Sequence, residues 1–157
     1  MTKDELIDAY LGGIDTLQRA VAGMTREQAL SRPVAGKWST LEVVAHLADF
    51  EPIFADRIKR ILALERPLLV AADDQPFAKS LTYHERDLQA EVALIALTRQ
   101  QLSRILRAKP TEDLQRPGVH SHAGLLTVEQ ILTQATRHIP HHVSFILEKK
   151  KALGLAG

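Results

Sequence analysis

Cysteine is absent from the chain. That absence removes disulfides, thiolate metal ligands and a cysteine nucleophile together, so any metal has to be held by His, Asp or Glu. A dominant charge is missing as well: 20 Lys and Arg stand against 19 Asp and Glu, a formal net charge of +1. No sequence-wide field gathers nucleic acid or anionic lipid, and without a basic stripe a nucleic-acid partner is not expected. Long apolar runs are also missing. No stretch reaches the roughly 18 uninterrupted apolar residues of a membrane span. The opening MTKDELIDAY has charges where a signal peptide has an apolar core. The expected location is the cytoplasm, with no membrane partner. No segment alternates like a convincing strand, and no repeat, low-complexity tract or linker divides the chain. Its 157 residues, 45% of them hydrophobic, suit one domain over 1–157 with a substantial core.

What is present is helix signal. Thr2-Lys-Asp-Glu5 and Ser39-Thr-Leu-Glu42 have capping-box spacing, as do Thr25-Arg-Glu-Gln28 and Thr127-Val-Glu-Gln130 with Gln in the third place. The first box opens an amphipathic run to about Gly23, and the second only a short turn ending near Pro33. The third opens a helix from Ser39 toward Arg66, stopped by Pro67. The fourth opens one from Thr127 to about Leu153, with Lys149, Lys150 and Lys151 near the negative end of its dipole and Gly154 as its stop. Between them, Leu88, Val92, Ile95, Leu102, Ile105 and Leu106 mark a helix from Thr82 to about Ala108. Four long helices in so short a chain make an all-α four-helix bundle the simplest fold. Segments 67–81 and 110–126 are longer than hairpin connections need, so at least one crosses the bundle end or lines a site.

The chemistry concentrates in RHIPHH, residues 137–142. His138 and His142 are four apart on one helix, one at the edge of and one within the stripe of Val128, Ile131, Leu132, Ala135, Ile139 and Ile146. That spacing lets two imidazoles grip one ion, and equally suits two core-edge histidines bonded to neighbours. His141 points away from the stripe and reads as a surface residue or a support to its neighbours. His46 lies in a helix apolar almost all round from Leu41 to Phe50, where a polar ring needs a partner. Two apolar faces on that helix fit either a bundle contact plus a subunit contact, or a fully central helix. If the two helices face each other, His46, His138 and His142 form a three-histidine site with coordination positions open for water or substrate. Pro140, between two of these histidines, costs an ordinary helix roughly 3 kcal/mol. With Pro52 it should bend the helices; such a bend can aim the rings at a common point, and proline kinks equally occur with no functional reason.

The ordered set Trp38, Ser39, Glu42, His46, Leu47, Asp49, Glu51 and Arg57, then Asp74 and Gln75, then Gly124, Thr127, Gln130, His138 and His142 resembles the DinB/YfiT-like superfamily over nearly the whole chain. The resemblance implies a bundle of up-down-down-up topology, usually a homodimer, with a divalent metal on His46, His138 and His142. Zinc or nickel leads as the ion, with iron third. It further implies a metal-dependent hydrolase or a thiol S-transferase acting on a small-molecule substrate, the latter with a low-molecular-weight thiol as co-reactant. A noncatalytic stress-response or ligand-binding module built on the same bundle is the alternative. Glu42 and Asp49 are candidates to orient a ligand ring, against a plain role as exposed helix charges. His120 and His122 are candidates for the mouth of the site. Arg57, Tyr83 and His84 have no assigned place, and Trp38 reads as a packing anchor.

Overall fold

The computed structural model describes residues 1–155, so the last two positions of the expected domain, 156 and 157, lie outside the described residues. Four long helices dominate: α1 (Lys3–Val21), α3 (Thr40–Ala63), α5 (Leu88–Arg107) and α6 (Val128–Ala152). The short α2 (Arg26–Leu30) and α4 (Asp74–Ser80) lie in the connections. All four expected capping boxes form with both reciprocal bonds, so the starts of α1, α2, α3 and α6 follow from local chemistry alone. At the far end of α6, Gly154 takes φ +70°, and the amides of Leu155 and Gly154 donate to the carbonyls of Lys150 (2.9 Å) and Lys151 (3.0 Å). These paired bonds satisfy carbonyls that the last turn leaves open.

Two helix limits fall short of expectation. The helix expected from Thr82 begins at Leu88, because Thr82 sits in left-handed backbone (φ +49°), a 3₁₀ turn follows at Tyr83–Glu85, and Asp87 caps the Ala90 amide at 2.8 Å. The helix expected to reach Arg66 ends at Ala63, where the Arg116 guanidinium donates to the carbonyls of Leu62 (2.8 Å) and Leu64 (3.1 Å). Lys149 and Lys150, expected as dipole-facing charges, are both buried.

An all-α fold needs correction, because a small sheet is present. β1 (Leu68–Leu69) runs parallel to β2 (Pro117–His120), which pairs antiparallel with β3 (Gly124–Thr127) in the order β1-β2-β3. Strands of two and four residues are too short to show alternation, and Pro117 fits only because it opens its strand. The sheet binds the two long connections together, with the Ser121 amide donating to Leu69 (3.0 Å) and the Ala71 amide to Ser121 Oγ (3.0 Å). Gly118 is the tight point: a Cβ there would lie 2.8 Å from Leu69 and 2.9 Å from Ile61, both buried. Gly118→Ala should therefore overpack this junction and destabilise the fold by about 1–3 kcal/mol. Thermal melting should register a drop of several degrees.

Within the bundle, α1 and α3 each pack against both α5 and α6, so these two consecutive long helices stand diagonally. Every residue of α3 from Thr40 to Ala48 is buried within the chain. That stretch of the helix is thus covered within the chain, as a central helix would be. The helices α3 and α6 continue through Pro52 and Pro140.

Candidate metal centre

Packing of α3 on α6 brings the three predicted histidines together. One ring nitrogen from each of His46, His138 and His142 lies within 4.8 Å of the others. His46 Nε2 and His138 Nε2 approach to 3.1 Å. Two nitrogens bound tetrahedrally at about 2.05 Å to one zinc ion would stand roughly 3.3 Å apart, so the spacing suits a shared ion. His46 is 3% exposed and the other two are half-buried.

The electrostatics point the same way. Burial pushes the His138 imidazole down to about 3, with help from His142 and His46 as neighbouring would-be cations. Burial likewise takes His142 down to about 4 and lowers His46. At neutral pH these rings are uncharged and their lone pairs are available, as metal ligation requires. The Nδ1 atoms of all three are buried with no protein hydrogen-bond partner. Ring nitrogens crowded together and so poorly satisfied by hydrogen bonds suit a cation that accepts their lone pairs. The surroundings are aromatic: Trp38 and Phe50 lie 5.5 and 4.5 Å from the His46 ring, and Phe54 lies 5.4 Å from that of His138, between centroids.

The histidines open onto a cavity of about 610 Å³ whose opposite wall is Val70 to Asp74, together with Ser121 and His122. The sheet is what holds those two loops at the mouth. Of the loop histidines, His122 lines the cavity, whereas His120 accepts the amides of His122 (3.3 Å) and Ala123 (3.2 Å) through Nδ1 and shapes the turn. His141 is exposed, with its ring 5.0 Å from Phe145. Glu42 and Asp49 have other partners. Glu42 completes the α3 capping box and pairs with Arg32. Asp49 receives a two-pronged contact from Arg86 at 2.6 and 3.0 Å. Arg57 donates to the Val70 carbonyl (2.7 Å), His84 is exposed, and Tyr83 is buried edge-on to Trp38. Asp74 was given no role by spacing, yet it lines the cavity with the histidines. Its only sequence signal was its place in the family-like pattern, because an acidic residue in a loop has no periodicity to read.

Comparison with known proteins identifies the family and the fold. The sequence pattern of the DinB superfamily matches residues 10–146. YfiT of Bacillus subtilis, provisionally named a metal-dependent hydrolase, is 26% identical over 139 residues, covering 88% of this chain and 78% of that protein. A provisionally named metal-dependent hydrolase of Oceanobacillus iheyensis is 23% identical over 145 residues, covering 90% and 84% of the two chains. The solved structure of B. subtilis YfiT, described as a four-helix bundle of unusual topology, superposes with a TM-score of 0.89 at 25% identity, over 98% of this chain and 89% of that one. A Streptococcus pneumoniae structure shares the fold, with a TM-score of 0.74 at 14% identity over 97% of this chain and 92% of that one.

Proposed function

Because the chain belongs to the DinB superfamily, we propose that His46, His138 and His142 hold one divalent metal and that the protein is a metal-dependent hydrolase of a small molecule. The observation that carries this reading is the convergence of three neutral, poorly satisfied imidazoles at one wall of a cavity. A divalent ion there supplies Lewis acidity and a lowered water pKa. Imidazole ligands suit zinc or nickel ahead of iron. The chain's own residues do the rest. Trp38, Phe50 and Phe54 limit water around the rings, and Asp74 accepts the proton released when water attacks the substrate.

A second reading, thiol S-transfer with a low-molecular-weight thiol as nucleophile, is favoured by one feature. His142 and Asp74 also line a second cavity, of about 310 Å³, which leaves room for another organic reactant beside the first.

The test is metal content on tag-free protein, followed by ester and amide hydrolysis with and without added thiol, chelator and restored metal. About one ion per chain and chelator-reversible hydrolysis are expected. Product formation only with thiol present selects the second reading, and bound metal with no turnover selects a noncatalytic module. Asp74→Asn should keep the metal and lower kcat by about 10²–10⁴-fold; unchanged turnover would remove Asp74 from the proposal.

A further inference from the structure

The smaller cavity is built around a lysine that the hydrolase reading does not use. Lys149 is 2% exposed, yet among the described residues it forms no ion pair, and its one side-chain hydrogen bond runs from Nζ to the Phe145 carbonyl at 3.2 Å. An ammonium has three protons to place, and burying it with a single neutral acceptor leaves it short of partners. Burial accordingly lowers its pKa. The carboxylates nearby do not serve it. Glu42 is taken by Arg32 and the capping box, Glu148 is exposed, and Asp74 stands where the two cavities meet. Lys37 adds a second positive charge to the lining.

Two aromatic rings form part of the lining: Trp38 faces the cavity, and the Phe145 centroid lies 6.0 Å from Nζ. Lys149 follows His142 by two turns on the same face of α6, a rise of roughly 10 Å. Its side chain folds back one turn toward His142, as its bond to Phe145 records. His142 lines the same cavity, so a ligand held by Lys149 extends toward the histidines. We infer that this cavity takes the carboxylate end of a small organic acid, with Lys149 Nζ as its ion partner and Trp38 and Phe145 against its apolar body, directing the acid's other end toward His142. The inference deepens the proposed function by naming a substrate class. Two ammonium groups, Lys149 and Lys37, already offset by the carboxylates of Asp74 and Glu148, suit a monoanion better than a phosphate dianion.

Trp38 is the chain's single tryptophan, so its fluorescence reports on this cavity directly. The probes are 4-phenylbutanoate, 4-phenylbutanamide and phenyl phosphate, titrated into chelator-treated protein so that no metal can capture the anion. The acid should bind at least about tenfold more tightly than the amide, and more tightly than the phosphate. Lys149→Met should erase the preference for acid over amide, and Lys149→Arg should keep it. Equal binding of acid and amide by the parent, no response to either up to about 10 mM, tighter binding of phenyl phosphate, or an acid preference that survives Lys149→Met would each overturn the inference. The acid–amide comparison in the parent needs no variant to fold. Carboxylate binding by a protein that never loads metal would keep this inference and sink the hydrolase reading; metal loading without acid preference would do the reverse.

Discussion

Arg99→Met should cost the fold about 3–5 kcal/mol, because it strands a carboxylate in the bundle centre. Arg99 and Glu51 are both fully buried, and Nη2 of the arginine donates to Glu51 at 2.8 Å and to the Ala135 carbonyl at 2.7 Å. Its Nη1 donates to the Tyr10 carbonyl at 2.5 Å, its guanidinium lies 4.3 Å over the Tyr10 ring, and the Tyr10 hydroxyl donates to Glu51. One cation thereby ties α1, α3, α5 and α6 together at the centre of the bundle. The layer also divides the core: Leu6, Phe54, Leu102 and Leu132 pack on one side of it, and Leu17, Leu47, Ile95 and Ile139 on the other. Space for it comes from Gly13, where a Cβ would lie 2.3 Å from Arg99 Nη1.

Denaturant unfolding with linear extrapolation measures the loss. Burial already raises the Glu51 carboxyl above its ordinary range, and removing Arg99 raises it further. A carboxyl whose folded pKa is raised contributes stability below its unfolded pKa and loses it as pH rises through the folded value. The gap between Arg99→Met and the parent should therefore narrow as pH falls toward 4.5, the ordinary value for this carboxyl. Arg99→Met combined with Glu51→Leu should cost well under the sum of the two single changes, because neither charge is then left alone. Gly13→Ala should hurt the parent more than it hurts Arg99→Met. A loss under about 1 kcal/mol for Arg99→Met would mean water reaches Glu51 and the layer is not a sealed one.

How legible this was differs from element to element. The capping boxes at Thr2, Thr25, Ser39 and Thr127 are local, so residues three apart declare them without knowledge of the fold. The histidine cluster was half local: His138 and His142 share a helix face by spacing, but His46 joins them only through the packing of α3 on α6. The Arg99 layer had almost no local signal. In LTRQQL an arginine reads as one more solvated charge, and its burial depends on Glu51, Tyr10 and Gly13, 48, 89 and 86 positions away. Lys149 was misleading for the same reason, since a lysine in a last helical turn fits the dipole whether or not a loop covers it. The sheet escaped because pairing between residues 68–69 and 117–120 is a tertiary fact carried by too few residues to leave a period.

Either His46→Ala or His138→Ala should take the bound metal from about one ion per chain to none, while His141→Ala leaves it in place. Three imidazoles leave two when one is removed, and a two-ligand site from flexible-length donors loses at least about 100-fold in affinity, given that changes even beyond the ligands cost 10–100-fold. Mass spectrometry of the purified variants reads the stoichiometry, and thermal melting reads the linkage. Metal at about a hundred times its dissociation constant stabilises the parent by about 2.7 kcal/mol, a shift that both ligand variants should lack. Retention of the ion in His46→Ala would place the metal on α6 alone and detach α3 from the site. A further consequence is visible without metal. Burial holds His138 near 3 and His142 near 4, below the ordinary 6.5, so as pH falls below about 6.5 the unfolded chain takes up protons that the folded chain refuses. Stability of chelator-treated parent should be flat in this respect above 6.5, then decline toward pH 4. His138→Ala should show a shallower decline, because it deletes the most depressed of these rings and relieves the repulsion on His142. A variant that is steeper in acid than the parent would show that His138 is not refusing a proton, and that the cluster already shares one among its rings.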